Sequence, residues 1–192
     1  KKVSITASVS TFVPKPHTPF QWERQISLEE SREKIAYLSR LFKKSKRIHL
    51  RWHDPEMSWL EGVFSRGVRN LAPAVEEAYL RGDVLTSWSD YFSPGIWRQV
   101  FSSLELDPEA YLAGPQKEAD LPWDHIDTGV SRSFLLRERE RARREKPTAD
   151  CRYAACHNCG VCSHLPEGSH LRSQSRTSFI QPVLNQDSPD QG

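Results

Sequence analysis

The four cysteines of this 192-residue chain lie close together, at Cys151, Cys156, Cys159 and Cys162, with the spacing C-x4-C-x2-C-x2-C. Cysteines kept for packing scatter along a chain like other small apolar residues. Short loops, by contrast, can turn four clustered thiolates toward one zinc ion or one iron–sulfur cluster. The spacing therefore predicts a metal site with these four ligands, and the ligand set leaves zinc and iron–sulfur both open.

The cysteine segment also has two alternative interpretations, one with disulfides instead of a metal and one with a histidine ligand. Disulfides are the main competitor, although disulfide frameworks usually join distant loops of shorter secreted domains. His157 lies between two of the cysteines and could replace one of them as a ligand. A side chain crowded between two ligands more often lies beside the metal or faces solvent, so we expect His157 to be a neighbour of the site.

A second group of polar residues follows an alternating segment near the start of the chain. In residues 3–13 the odd positions are mostly apolar, and the even positions carry hydroxyl groups at Ser4, Thr6, Ser8 and Ser10. This period of two predicts a strand. The hydroxyl face would meet water in an antiparallel sheet, and it could line a polar lumen in a parallel barrel.

Three prolines in six residues stiffen the connection after this strand and flank Lys15 and His17. A stiff loop at the carboxyl end of a strand can hold two such side chains in place, and barrel enzymes build active sites there. The alternative is a structural turn in which Phe20 and Trp22 cover the core.

Two other polar clusters have simpler interpretations. His53, Asp54 and Glu56 could form a metal site or an acid–base pair, but Asp54 before a proline is typical of a helix cap and Glu56 favours the helix N-terminus. Asp124, His125 and Asp127 form a similar cluster, which is expected to be a polar loop that docks onto the barrel.

Local signals predict the elements that must position these residues. Ser27 and Glu30 form a capping box that begins a helix ending near Phe42, and the basic residues 43–47 lead into a short strand at 48–52. Residues 47–146 are predicted to be mainly helical. The helix starts are marked by Asp54-Pro55, Ser93-Pro94 and Asp107-Pro108. The longest helix covers 131–146, with ion pairs expected between Glu140 and Arg144 and between Arg141 and Glu145.

Composition and charge set only broad limits. The formal net charge of +2 is too small to indicate nucleic acid. The sequence has no run of about 18 apolar residues, so we expect no membrane partner and a cytoplasmic protein. The chain begins with Lys1-Lys2 directly before a strand, and we expect it to be a part of a longer protein.

Four motifs carry a resemblance to a known family. They are STFVPKPHTPFQW (10–22), RWHDPEMS with LEGVFSRG (51–58 and 60–67), LPWDHID (121–127) and CGVC (159–162). In this order they resemble the C-terminal portion of radical S-adenosylmethionine (radical SAM) proteins that carry a cobalamin-binding-type domain at their N-terminus. The resemblance covers residues 3–162.

The resemblance implies an α/β fold with four parts. Residues 1–46 would be the closing strand and helix of a partial (β/α) radical SAM barrel. Residues 47–146 would be a mainly helical accessory region, residues 147–163 a cysteine knuckle that binds metal, and residues 164–192 a disordered tail.

The resemblance also implies a function and its cofactors. The complete protein would cleave S-adenosylmethionine at a four-iron four-sulfur cluster, with Ser8, Ser10, Lys15 and His17 contacting cofactor or substrate. The C-x3-C-x2-C motif that holds this cluster in the family is absent here. The chain alone is therefore expected to be inactive, with its partner being the N-terminal part of the same enzyme.

Several points stay open. Cobalamin would bind that N-terminal part, the catalytic residues are not identified, and the substrate could be RNA or protein. The competing function is a zinc-binding interaction module that contacts protein or nucleic acid, with the arginine-rich helix supplying charge.

Overall fold

The computed structural model describes residues 3–115 and 119–164, so the tail expected at 164–192 lies outside the described residues except for its first position. The chain forms two compact units, Lys1–Thr128 and Gly129–Gly192. The boundary falls before the last long helix, which therefore belongs to the unit that contains the cysteines. The sequence had suggested a boundary after that helix, at residue 146.

A parallel pair of strands forms the N-terminal part of the first unit. Strand β1 (Ile5–Val9) pairs with strand β2 (Ile48–Trp52), in register from Ile5 opposite Ile48 to Val9 opposite Trp52. Helix α1 (Leu28–Phe42) connects them and packs against β2. Strand β1 is shorter than the predicted 3–13 because the ladder ends with β2, where the backbone N–H of His53 donates to the carbonyl of Val9.

The two faces of this sheet differ in polarity. Paired residues of neighbouring strands point to the same face, so the hydroxyl groups of β1 share a face with the polar residues of β2. Thr6 lies opposite His49 and Ser8 lies opposite Arg51, and all four side chains are exposed. The other face carries Ile5, Ala7 and Val9 beside the apolar residues of β2.

Helix α1 begins as predicted. The Ser27 hydroxyl accepts from the backbone N–H of Glu30, and the Glu30 carboxylate accepts from the backbone N–H of Ser27. Arg24 adds a bidentate ion pair to the same carboxylate, with both N–O distances 2.9 Å. The hydrogen bond from Arg24 lowers the pKa of Glu30 to about 2.

Four further helices complete the first unit: α2 (Pro55–Arg66), α3 (Ala72–Leu80), α4 (Pro94–Ser103) and α5 (Pro108–Leu112). A 3-10 turn (Arg69–Leu71) precedes α3. Asp54 and Asp107 cap α2 and α5 through their side chains, as predicted. The predicted side-chain cap at Ser93 is wrong, because no backbone N–H of the first turn of α4 donates to the Ser93 hydroxyl.

The hydrophobic core lies among these helices. Its fully buried members come from α2, α3, α4 and α5 and include Trp59, Val63, Ala74, Trp97, Val100, Phe101 and Leu112. Trp59 meets Phe101 edge to face with ring centroids 5.6 Å apart, and Phe64 meets Trp97 at 5.3 Å. Such ring pairs add about 0.5–1.5 kcal/mol each beyond their buried area.

The second unit contains helix α6 (Arg132–Arg143) and a 3-10 turn (Val161–His164). Ser131 caps α6, and the predicted pair of Glu140 with Arg144 forms at 2.7 Å. The predicted partner of Arg141 is wrong. Glu145 lies beyond the helix with φ of 54°, and Arg141 instead pairs with Glu138. Among the described residues, no helix combines the length and the apolar character needed to cross a membrane.

Candidate functional site

The loop between β1 and α1 is held in place by buried hydrogen bonds as well as by its prolines. The side chain of Gln21 is 2% exposed, and its Oε1 accepts from the backbone N–H of His17 and from Trp123 Nε1, both at 2.8 Å. Trp123 belongs to the 121–127 motif, which therefore docks onto this loop. Docking of the motif onto a barrel stays a prediction. The turn of that motif is closed by Asp124, which accepts from the backbone N–H of Leu121.

Arg66 fixes the second half of the same loop. Its buried guanidinium donates to the carbonyls of Gln21 and Glu23 in the loop, and to that of Leu112 at the end of α5. Burial lowers the pKa of Arg66, and Glu23 partly offsets this effect. A planar fork with five N–H groups suits this bridging of several carbonyls.

Gln25 completes the anchoring of the loop. Its Nε2 donates to the carbonyl of Ser58 at 2.8 Å, and its backbone N–H donates to the carbonyl of Leu112 at 3.0 Å. The Gln25 side chain lies directly against Gly62 of α2, where a Cβ would come within 2.1 Å of its Oε1. Any larger residue at position 62 would displace Gln25.

The two candidate residues of the loop are differently placed. The Lys15 ammonium pairs with the carboxylate of Glu61 on α2, and both side chains are about half exposed. His17 is partly buried and has the left-handed φ of 54°, which is uncommon outside glycine but which asparagine, aspartate and histidine adopt more often than other residues. The structure thus brings Lys15 to a carboxylate that sequence reasoning had not connected with it.

Two residues of β2 also escaped sequence reasoning. His49 and Arg51 share the exposed polar face with Ser8, and Ser10 follows that face beyond β1. No carboxylate of the described residues forms an ion pair with the Arg51 guanidinium. His53 follows β2, and its Nδ1 lies 3.1 Å from the hydroxyl of Ser58. The alternation of residues 48–52 could have indicated the face of His49 and Arg51, but only the register aligns them with the serines.

The cluster after β2 has the structural role that was expected. Asp54 accepts from the backbone N–H of Glu56 at 2.7 Å. The Glu56 carboxylate in turn pairs with Arg32 of α1 at 2.5 Å and with Arg98 of α4. These contacts confirm a helix cap and an ion-pair network that joins three helices.

A cavity adjoins the strand-end residues. It has a volume of about 570 Å³, and His53, Met57 and Glu61 form one of its sides. This volume lies within the range of small-molecule sites, which combine apolar walls with a few polar groups.

The cysteines occupy the second unit, after α6. Cys156 is exposed, and Cys151, Cys159 and Cys162 are partly buried; none of the four forms a disulfide. Within residues 3–115 and 119–164, no three side chains of His, Cys, Asp or Glu converge on a common point where a metal ion could sit. The structure therefore shows the segment without a preassembled cage.

The backbone around Cys156 nevertheless suits a thiolate ligand. The backbone N–H of Asn158 donates to the Cys156 sulfur at 3.4 Å, so the turn already orients this side chain. Asn158 and Gly160 have φ of 51° and 103°, which turn the chain sharply on both sides of Cys159. A Cβ at Gly160 would lie 2.5 Å from the carbonyl of Gly129, so only glycine fits there.

Other contacts hold this turn against α6. The carbonyl of Cys159 accepts from the backbone N–H of Ser131 at 2.7 Å, and Arg137 donates to the carbonyl of His157 at 3.2 Å. His157 Nε2 donates to the carbonyl of Ala149 at 2.7 Å. That nitrogen is already engaged, which agrees with a neighbouring role for His157.

We compared the chain with protein families, with curated proteins and with solved structures. No protein-family model, no curated protein and no solved structure matches the chain.

Proposed function

We propose that this chain is the C-terminal part of a radical SAM enzyme and that the polar face of the β1–β2 pair helps to form its cofactor or substrate pocket. The four sequence motifs supply the enzyme class. One observation carries the placement of the pocket: hydroxyl and basic side chains lie side by side on the exposed face of a parallel strand pair. Parallel sheets usually have both faces covered, which favours a further layer over this one.

Each residue has a distinct part in this proposal. The Arg51 guanidinium offers a planar pair of donors for a carboxylate or phosphate. The hydroxyls of Ser8 and Ser10 can donate to or accept from a bound ligand. Lys15 and His17 lie on the anchored loop beyond β1, where parallel sheets bind ligands outside the carboxyl ends of their strands. S-adenosylmethionine bound to a reduced cluster would supply the radical chemistry, and cobalamin would bind the N-terminal region.

The experiment replaces the cation of the polar face in the complete protein. Arg51→Gln should reduce turnover about tenfold or more, because a charge-assisted hydrogen bond contributes about 1.5–3 kcal/mol. Arg40→Gln removes an exposed cation of α1 and serves as the matched control. Equal activity of the two variants would contradict the assignment of the polar face to the pocket.

The cysteine knuckle has a separate proposal. Its four thiolates hold zinc or an iron–sulfur cluster after the segment closes around the metal. The donor set, the N–H bond to the Cys156 sulfur and the fixed turn at Gly160 support it. Unpaired cysteines suit a reducing compartment, and we propose a cytoplasmic location.

A zinc-binding interaction module is the second candidate. The basic composition of α6 favours it, since arginines predominate on this helix. Arg137 and Arg141 of this helix are engaged within the unit, however, with the knuckle carbonyls and with Glu138, and Arg144 just beyond the helix pairs with Glu140. An RNA-binding measurement on the 192-residue chain separates the two candidates, because only the module requires binding without the rest of the enzyme.

A further inference from the structure

An apolar surface covers α3 and the segment that follows it. Large apolar or aromatic side chains are exposed there, namely Val75, Tyr79, Leu80, Val84, Leu85, Trp88 and Tyr91. Single exposed apolar residues are ordinary, but a large group of them within one short stretch of chain favours an interaction site. We call this group the 75–91 surface.

The 75–91 surface is built on fixed backbone. The N–H of Asp83 donates to the carbonyl of Ala78, and the Thr86 hydroxyl donates to Asp83 Oδ1 at 2.9 Å. The N–H groups of Tyr91 and Phe92 both donate to the carbonyl of Trp88 at 2.9 Å. A surface with this many local bonds presents its apolar side chains in defined positions, which lowers the entropic cost of binding a partner.

The cavity described above opens into this surface. Val75, Thr86 and Ser87 line its outer side, and Phe64 and Trp97 line its inner side. The indole N–H of Trp97 is buried and has no acceptor among the described residues. A cavity of this kind beside exposed aromatic residues can take one bulky side chain of a partner, as in the centre of protein interfaces.

The charge of the surface indicates the chemistry of that partner. Residues 75–91 present the carboxylates of Glu76, Glu77 and Asp90 against the single guanidinium of Arg81, and a fourth carboxylate, that of Asp83, is buried. Glu77 pairs with Arg81, whereas Glu76 and Asp90 have no ion pair among the described residues. Excess negative charge attracts a basic partner and repels nucleic acid.

We propose that the 75–91 surface binds a basic amphipathic segment of a partner protein, which inserts one bulky apolar side chain into the cavity beside Trp97. The apolar face of the segment covers Tyr79 and Trp88, and its cations meet Glu76 and Asp90. This interaction is independent of the proposed enzyme function.

The test uses the 192-residue chain and two synthetic helical peptides. One peptide has leucines on one face and lysines on the other, and the second has glutamate in place of every lysine. Fluorescence anisotropy should show binding of the lysine peptide and at least about tenfold weaker binding of the glutamate peptide. Equal affinities, or no binding of the lysine peptide, would overturn the proposal.

Matched variants locate the binding. Tyr79→Ser should weaken the lysine peptide about tenfold, whereas Tyr37→Ser, at a similarly exposed tyrosine of α1, should not. Glu76→Lys should weaken it, whereas Glu33→Lys on α1 should not. Equal effects of the two members of a pair would overturn the proposal.

Two other results would assign a different partner to the 75–91 surface. Sedimentation that shows self-association of the wild-type chain, lost in Tyr79→Ser, would assign the surface to a second copy. Binding of single-stranded RNA that is lost in Tyr79→Ser would assign it to nucleic acid.

Discussion

Lys15 and Glu61 form an ion pair in which both side chains are about half exposed. Exposed pairs of this kind usually contribute no more than about 1 kcal/mol to folding, because water and salt screen them. The pair is therefore a poor reason for placing a lysine on an anchored loop at the end of β1. Contact of Lys15 with a ligand remains a proposal, which a substitution can test.

We predict that Lys15→Ala in the complete protein reduces turnover while the melting temperature stays nearly unchanged. The change removes a cation from the strand-end site but leaves the bonds of Gln21 and Arg66 intact. Lys34→Ala, at an exposed position of α1, is the control. Activity that falls only in proportion to the melting temperature would mean that Lys15 is structural.

His17 needs two substitutions, because its backbone has a left-handed φ of 54°. His17→Ala removes the imidazole and also strains the turn. His17→Asn removes the imidazole but keeps a residue that tolerates this conformation. Reduced turnover in both variants supports a contact of the ring with cofactor or substrate, and normal turnover in His17→Asn would remove it from the site.

At the scale of elements, Arg66 of α2 is one of the buried side chains that anchor the loop of residues 10–27. Arg66 donates to carbonyls on both the loop and the end of α5. We predict that Arg66→Met destabilises the protein by about 2–3 kcal/mol, because the carbonyls lose their buried donors. Urea unfolding measures the effect, and Arg69→Met in the exposed 3-10 turn is the control. Equal stability of the two variants would contradict this account of the loop.

Local patterns predicted much of the secondary structure. The capping box at Ser27 and the aspartates at 54 and 107 were recognisable because a cap acts within three residues of its own position. The bounds of α1 and β2 followed from apolar periodicity. Ser93 failed because a proline at the first helical position fits without any side-chain cap.

Local patterns could not predict contacts between residues that are far apart in the sequence. The bond from Trp123 to Gln21 joins residues 102 positions apart, and no periodicity encodes it. The polar face of Ser8 and Arg51 requires the parallel register of two strands joined by α1. The placement of Lys15 beside Glu61 depends on the packing of α2, which is a tertiary property.

At the scale of the whole molecule, the cysteines and α6 form a unit of their own. Its described residues, 129–164, contain one helix of three turns and one 3-10 turn, and small units of this kind commonly need a metal for stability. We predict that the chain purified without oxygen and reconstituted holds about one zinc or about four irons per chain. Elemental analysis measures the content.

The control for this prediction is His157→Ala, which should retain the metal because its Nε2 is occupied by the carbonyl of Ala149. Cys159→Ser should lose most of it. Substoichiometric zinc and iron in the reconstituted wild-type chain, together with four freely titratable thiols, would contradict the metal site.

The central claim is that this chain completes a radical SAM enzyme and cannot act as one by itself. The most direct measurement is the formation of 5′-deoxyadenosine from S-adenosylmethionine under reducing, oxygen-free conditions, with the complete protein and the 192-residue chain assayed side by side. The account predicts that the reconstituted complete protein forms 5′-deoxyadenosine and that the chain alone forms none. A complete protein that leaves S-adenosylmethionine intact, or a 192-residue chain that cleaves it, would contradict the account.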